Sequence, residues 1–576
     1  PISVTTIQHH ATDNSFSRGE EYYQRGAVAD LVQRGNTLYA EVEGSEVAPY
    51  CVSFQFDSGG ITSAGCTCPY DYEGWCKHLV AVALTWVRQP DQVELRPTLP
   101  QLLDRLNHVQ TQQLVQALVT EQPELIDAVD RQVMLVSNPA PPKQGATACR
   151  TALDAAPFRR QVKHLLRQGV RSLEEGYEDD PFTDQLLEVI EKALEFARNE
   201  DGNSAIAILE AITAACVDDY GGECFPIAES LNEAWTEAIL SASLSPPDAV
   251  DLQVMLEEWQ DALDGDFSMS LAALQQGWTD PELQQALQGN HYSDPERLNA
   301  PFGQDLALVR LQILDRQGRQ TEYLNLARTE GLMLQYLTRL AEIGNIEQAM
   351  TTARSRMTTA EEAFALAKTL REGNHLSEAL AIAQAGLPLP GNCRYALASW
   401  TSELAKGLGN QAVALDASTL AFNLRPSFAD YQRVEHFADH HWNDIKPDLL
   451  QTLRQSSEWT ARDAKVDIFL HEGLLNDAIA AVRSDDHYRS ELVHRVMQAV
   501  LPTHADWVIV AARQQAEPIM DQGKADRYQD AVRWLQQIKA AYLHSGQQSM
   551  WTEYFNQLQS THARKRKLMD LFKQLR

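Results

Sequence analysis

Along the chain, the alternation of apolar and polar residues changes period once, near the N-terminal end. Residues Ser15 to Arg25 place Phe16, Tyr22 and Tyr23 as a short helix would, and Gly26 ends it. Thr37 to Glu43 and Tyr50 to Phe56 then alternate, with Leu38, Ala40 and Val42 on one face and Tyr50, Val52, Phe54 and Phe56 on the other segment's matching face. That is the pattern of half-buried strands, and Gly44-Ser45 marks the turn between them. A third strand over Gly60 to Cys66 completes a small meander. The continuous apolar run Leu79 to Val87 predicts a buried helix, too short to span a bilayer. From Leu95 the period is helical: Leu99-Pro100 opens Gln101 to Leu106, and Leu114, Leu118 and Leu125 continue toward Leu135.

Farther on, amphipathic segments alternate with short turns in a shared register. Gly344-Asn345-Ile346-Glu347-Gln348-Ala349, Gly407-Leu408-Gly409-Asn410-Gln411-Ala412 and Gly473-Leu474-Leu475-Asn476-Asp477-Ala478 superimpose, each Gly preceding an Ala by five residues. Gly373 begins a copy one residue longer, and Gly202 and Gly318 begin weaker ones. A left-handed glycine cap and a small residue where helices cross closely are what antiparallel helix pairs need. The spacings of 26 residues from Gly318 to Gly344 and 29 from Gly344 to Gly373 suit helix hairpins of a tetratricopeptide-like kind. Such solenoids expose a long face that binds peptides or proteins, or that serves only as solvated scaffold.

The predicted fold class is therefore mainly α: a small N-terminal α+β domain over residues 1–92, a short helical segment over 93–136, a Pro-rich linker over 137–147, and an all-α helical-hairpin solenoid over 148–576. The linker is Ser137-Asn138-Pro139-Ala140-Pro141-Pro142-Lys143-Gln144-Gly145. At the far end Leu568, Leu571, Phe572 and Leu575 share one helical face, and residues 561–576 carry six basic groups and one acidic group. A solvated basic helix end is the simplest reading, and a nucleic-acid contact the alternative.

Composition narrows the function classes. At 576 residues, 44% apolar and 22% charged, the chain is an ordinary globular one, long enough for several domains. Its net charge of −30 disfavours nucleic acid as partner, because such binding rests on Lys and Arg neutralising phosphates. Residues 1–90 are themselves acidic, with 5 basic and 10 acidic side chains. The sequence as it stands opens on Pro1-Ile2-Ser3-Val4-Thr5-Thr6, with neither a basic start nor an apolar stretch, so no secretory signal is expected here. Cys51, Cys149, Cys216, Cys224 and Cys393 are scattered and form no disulfide framework; a reducing, cytoplasmic setting is expected, without a membrane segment.

The remaining three cysteines carry the candidate chemistry. Cys66, Cys68, Cys76 and His78 offer three thiolates and one imidazole within thirteen residues, which fills the four tetrahedral positions of one zinc ion and leaves none for a substrate or an activated water. A strand places residues i and i+2 on one face, so Cys66 and Cys68 can converge. Pro69 ends the ladder, Gly74 lets the chain reverse, and Cys76 is expected just before a helix whose first turn holds His78. The zinc is then structural. A redox dithiol fits less well, since no CxxC pair occurs.

The motif Cys66-x-Cys68-x7-Cys76-x-His78, with Pro69-Tyr70 after the second cysteine and Lys77 between the last two ligands, resembles the SWIM zinc finger of bacterial proteins, Swi/Snf-type ATPases and plant Mutator-type transposases. Phe16, Arg18-Gly19, Tyr22-Tyr23 and Gly26-Ala27-Val28 are similar to the start of many bacterial SWIM proteins. Gly523 to Leu535 and the basic terminal helix resemble the tail of those with helical extensions. The resemblance implies metal roles for Cys66, Cys68, Cys76 and His78, and a module for which DNA or protein binding has been proposed.

No catalytic constellation accompanies it. Gly523-Lys524-Ala525 lacks the upstream glycine and the hydroxyl of a phosphate loop, and His471-Glu472 lacks the second histidine of a metalloprotease helix. His440-His441 has no cysteine partner nearby. The acidic stretches Glu174-Glu175, Glu178-Asp179-Asp180 and Asp264-Gly265-Asp266 lack the ligand alternation of a calcium loop. The expected function is a non-enzymatic adaptor binding a protein partner, with no small-molecule substrate; the alternative is a DNA-associated factor using the finger and the basic C-terminal helix.

Overall fold

A computed structural model describes residues 3–44, 48–70, 74–122, 153, 155–174, 181–220, 225–263, 265–290, 302–456, 461–483, 490–523 and 525–575. The predicted linker over 137–147 lies outside the described residues, as do Leu125 to Leu135, Cys149 and Cys224. Packing groups the chain into two compact units, Pro1–Pro97 with Ala383–Arg576, and Thr98–Ile382. The described chain is mainly helical, and its five-stranded sheet belongs to the N-terminal region.

That region opens with two helices, α1 (Val4–His10) and α2 (Asp13–Gln24). Ser3 and Thr12 cap them, each accepting a hydrogen bond from a backbone N–H of the first turn. Strands β1 (Val28–Arg34), β2 (Thr37–Val42), β3 (Tyr50–Asp57) and β4 (Gly60–Cys66) form an antiparallel meander, helix α3 spans Lys77–Arg88, and β5 (Glu94–Leu95) pairs in parallel with β1, giving the order β4-β3-β2-β1-β5. Leu38, Val42, Val52 and Phe54 point from the sheet into a core completed by α3, whose residues from His78 to Thr85 are all buried. Helix α2 packs closely on α3: a Cβ added to Gly19 would sit 2.4 Å from a Val80 methyl and 2.9 Å from the Lys77 carbonyl.

Strand β1 and helix α1 are not visible in the hydrophobic pattern. In β1 a bulge between Ala29 and Val32, with Asp30 at φ 48°, puts the consecutive residues Leu31 and Val32 both inside and so breaks the alternation. In α1 the described side chains offer only Ile7 as a fully buried apolar group, too little to generate a period.

Downstream, all the described elements are helical. The segments Leu99–Leu103 and His108–Glu121 contribute no buried residue. Between Gly303 and Leu575 short helices follow one another through tight turns. At Gly344, Gly409 and Gly473 the backbone takes positive φ (82°, 76° and 67°), and the next N–H bonds back five residues: Asn345 to Leu340, Asn410 to Ala405, Leu474 to Phe469. At Gly373 the left-handed residue is instead Asn374 (φ 63°), with His375 bonding to Leu370. Counting five from each left-handed residue reaches Ala349, Ala379, Ala414 and Ala478, every one fully buried. The register anticipated from Gly407 to Ala412 is thus displaced by two: Gly407 closes the preceding helix and Ala412 is exposed. Gly202 does not cap an end but starts a helix, its Cα against the Ser241–Ala242 backbone. At the C-terminus Leu568, Phe572 and Leu575 are buried, on Arg566–Leu571 and the 3-10 turn that follows.

Within the first unit the sheet region seats on the Arg394–Gly407 helix. A Cβ at Gly407 would lie 2.3 Å from the Gly59 carbonyl oxygen in the β3–β4 turn, so two backbones touch there. Beside this contact the Lys406 ammonium donates to the Thr6 hydroxyl at 3.1 Å. Burial lowers the His10 pKa from its ordinary value; nearby Glu403 opposes the shift, and Arg433 and Lys406 reinforce it.

Candidate metal centre

The four sequence-predicted ligands come together from three elements. Pairing of β3 with β4 continues past Cys66, since the Thr67 N–H bonds to the Cys51 carbonyl and the Cys51 N–H to the Thr67 hydroxyl at 3.0 Å. The extended backbone through Thr67 therefore sets Cys66 and Cys68 on one face. The return limb is fixed by α1: the Trp75 N–H donates to the His10 carbonyl, the Trp75 ring stacks on His10 at 4.7 Å, and Gly74 turns at φ 88° where a Cβ would meet that carbonyl at 2.8 Å. Cys76 is the N-cap of α3 and His78 lies in its first turn.

The geometry fits zinc. Tetrahedral bonds of about 2.3 Å to sulfur and about 2.0 Å to nitrogen place ligand atoms roughly 3.5–3.8 Å apart. The Cys66 sulfur lies 3.7 Å from Nδ1 of His78, and all four ligand atoms lie within 4.8 Å of one another. Nε2 of His78 is buried with no hydrogen-bond partner among the described residues, so the described polar contacts of this imidazole are on its Nδ1 side. Tyr50 stacks on the ring at 4.5 Å and Tyr22 meets its plane edge-on at 5.4 Å, fixing its orientation. With the metal on Nδ1, the neutral ring carries its proton on Nε2.

The sulfurs make the same case electrostatically. Hydrogen bonding from Cys66 brings the Cys76 thiol down to about 4 against the opposing effect of burial, with help from His78 and the Leu79 amide at the helix start. The same contact with Cys76, then burial, pushes the Cys66 thiol up, and burial leads in raising Cys68. Three crowded sulfurs do not all ionise unaided, and a divalent cation supplies the missing compensation. The Cys66/Cys68/Cys76/His78 cluster is that of one structural zinc.

Tyr22, Tyr50 and Trp75 wall the centre, a role that the sequence pattern, which marks Tyr22 and Tyr50 only as apolar positions of a helix and a strand, does not reveal. One further group of ligand-type side chains assembles among the described residues: Glu435, His471 and Glu472. Glu472 already accepts from the Tyr431 hydroxyl and from the Lys446 ammonium, both at 2.8 Å, so a cation occupies that place already. His440 and His441 are exposed at the surface.

Residues 50–86 match the SWIM zinc finger family. The chain is 34% identical over 129 residues to zinc finger SWIM domain-containing protein 8 of Bos taurus and of Homo sapiens, and 33% identical over 126 residues to the homolog in Drosophila melanogaster. These alignments cover 22% of this chain and 9%, 7% and 6% of the respective relatives, so the chain spans less than a tenth of the length of the relatives it matches. Among the described residues, no helix is long and apolar enough to cross a membrane.

Proposed function

We propose that this chain is a non-enzymatic interaction adaptor in which the zinc module and the helical array each hold a protein partner. The observation that carries this reading is the seat of the zinc module on the Arg394–Gly407 helix, through the Gly59–Gly407 backbone contact and the Lys406–Thr6 hydrogen bond. A centre with four protein ligands has no open position for chemistry, and a module fixed on helix pairs offers standing surfaces. The net charge of −30 favours protein over nucleic acid.

Crosslinked capture from native-cell extract tests it. The zinc-loaded chain retains a defined set of proteins, and Cys66→Ser loses the part held by the zinc module. One observation favours a second reading, a DNA-associated factor: Arg564, Arg566 and Lys567 stand exposed together near the C-terminus of an acidic chain. Duplex binding that falls steeply with salt and disappears in Arg564→Glu/Arg566→Glu would replace the adaptor with that reading.

A further inference from the structure

Beside the metal centre, the first turns of α2 and α3 and the Cys68-Pro69-Tyr70 corner enclose a groove of about 570 Å³. Its walls are tied together, since the Ser15 hydroxyl donates to the Tyr70 hydroxyl at 3.2 Å. Two cations line it, Arg18 and Lys77, and among the described lining residues there is no carboxylate. The region's five basic side chains make this informative. Arg88 pairs with Glu20, and Arg25 and Arg34 are spent on the carbonyls of Glu43 and Pro97. Arg18 and Lys77 alone have no carboxylate or carbonyl partner among the described residues; Lys77 is held over the Tyr22 ring, 4.8 Å from its centroid. In a chain of net charge −30, these two cations face one groove with no carboxylate partner among the described residues.

We infer that this groove binds an acidic peptide segment of a partner protein, a side-chain carboxylate lying between Arg18 and Lys77 and a neighbouring apolar side chain resting on Pro69 and Tyr70. The aligned N–H groups at the starts of α2 and α3 favour negative charge at the same place. Cys68 and Cys76 also line the groove, so the metal centre itself forms part of its wall. A nucleic-acid strand presents a phosphate at every nucleotide and needs a track of cations, whereas two cations in a short groove match one or two carboxylates. None of the groove's lining residues belongs to the contact with the Arg394–Gly407 helix, so a peptide can bind without undocking the module.

This inference rests on the adaptor reading and names the partner chemistry of its zinc module. The test uses the full, zinc-loaded chain, fluorescently labelled, on an array of random-sequence decapeptides, alongside Arg18→Glu/Lys77→Glu and the charge-conserving Lys77→Arg. Zinc content and circular dichroism of each variant establish that it is folded. The expected result is a selected set enriched in Asp and Glu, an affinity loss of about tenfold or more for those peptides in the double reversal, and near-native binding in Lys77→Arg. No acidic enrichment, or the same peptides bound equally by the folded double reversal, overturns the groove assignment. Tighter binding of a single-stranded oligodeoxynucleotide through Arg18 and Lys77 overturns it as well. Native partners still captured by the double reversal would leave the adaptor reading standing while the groove fails; loss of all protein capture by the unaltered chain would remove the adaptor reading itself.

Discussion

In the zinc module, the side chains that meet at the metal come from a strand end, a turn and a helix start, and the backbone carrying them is tied to segments elsewhere: Thr67 to Cys51, Trp75 to His10, and the helix of His78 to Gly19 through Val80. At four turns after Gly303, those of Gly344, Asn374, Gly409 and Gly473, a left-handed residue, a bond five residues back and a buried alanine five residues on repeat as one local unit. The module is consequently an all-or-none object with its stability concentrated at one ion. The array distributes the same task over many equivalent turns, each of which can fail nearly alone.

Removing the metal is the largest perturbation that separates the two. A structural zinc contributes about 10–16 kcal/mol of apparent binding energy, against typical net stabilities of about 5–15 kcal/mol. Chelation, or Cys66→Ser, is expected to abolish the strand signal in circular dichroism and open residues 3–97 to protease while the helices beyond Gly303 keep theirs. Loss of both at the same chelator concentration would make the two regions one cooperative structure and end the distinction.

The next effect concerns the seat between them. Leu at Gly407 places a side chain where the Gly59 backbone lies, at 2.3 Å, and that backbone has no flexible end to give way. Gly407→Leu is expected to cost about 1–3 kcal/mol and to raise hydrogen exchange in the β3–β4 turn and in α1, with zinc content unchanged. Unaltered exchange at Gly59 and Thr6 would show that the module does not depend on this contact.

Acidification should act on the same seat. The folded His10 lies below its ordinary value of 6.5, chiefly through burial, so the unfolded or undocked form binds the proton more readily. Stability from this group is complete above 6.5 and is lost as pH falls through that value toward the folded one. Exchange protection of α1 should therefore fall as pH drops below about 6.5, and His10→Gln should flatten that slope. Zinc content measured on the same samples separates His10 from protonation of the metal ligands. Equal slopes in the two proteins would assign the pH response to the ligands alone.

How far each region could be read from its residues follows from the same contrast. The metal ligands were legible because four side chains of the right chemistry fall within thirteen residues, β2 and β3 because their apolar residues alternate, α3 because it is a continuous apolar run, and β4 because it completes the meander that leads into the first ligands. Strand β1 was not, because a bulge at Asp30 breaks its alternation; β5, two residues long, carries no period. The contact of the module with the Arg394–Gly407 helix was invisible for a different reason: it joins glycines 348 positions apart, and no local pattern records that two backbones touch. In the array the repeat was legible but its phase was not. Glycine types alone could not show that Gly409, rather than Gly407, and Asn374, rather than Gly373, take the left-handed conformation.

That phase gives the smallest and most specific prediction. Gly344 has φ 82° and open space around the position of a Cβ, so Gly344→Ala meets backbone strain alone, about 1–2 kcal/mol, read as faster exchange confined to the turn between Met333–Glu342 and Ile346–Arg356. Gly373 looks equivalent in sequence but has φ −74°, an ordinary helical value. Its nearest neighbour would be the His375 ring edge at 3.3 Å, a side chain that can turn aside. Gly373→Ala should then stay within about 0.5 kcal/mol of neutral, because the lost conformational freedom of the unfolded chain offsets the tight contact. A large loss at Gly373 with none at Gly344 would mean that the left-handed residue, and with it the alanine five positions on, has been assigned to the wrong place in these two turns.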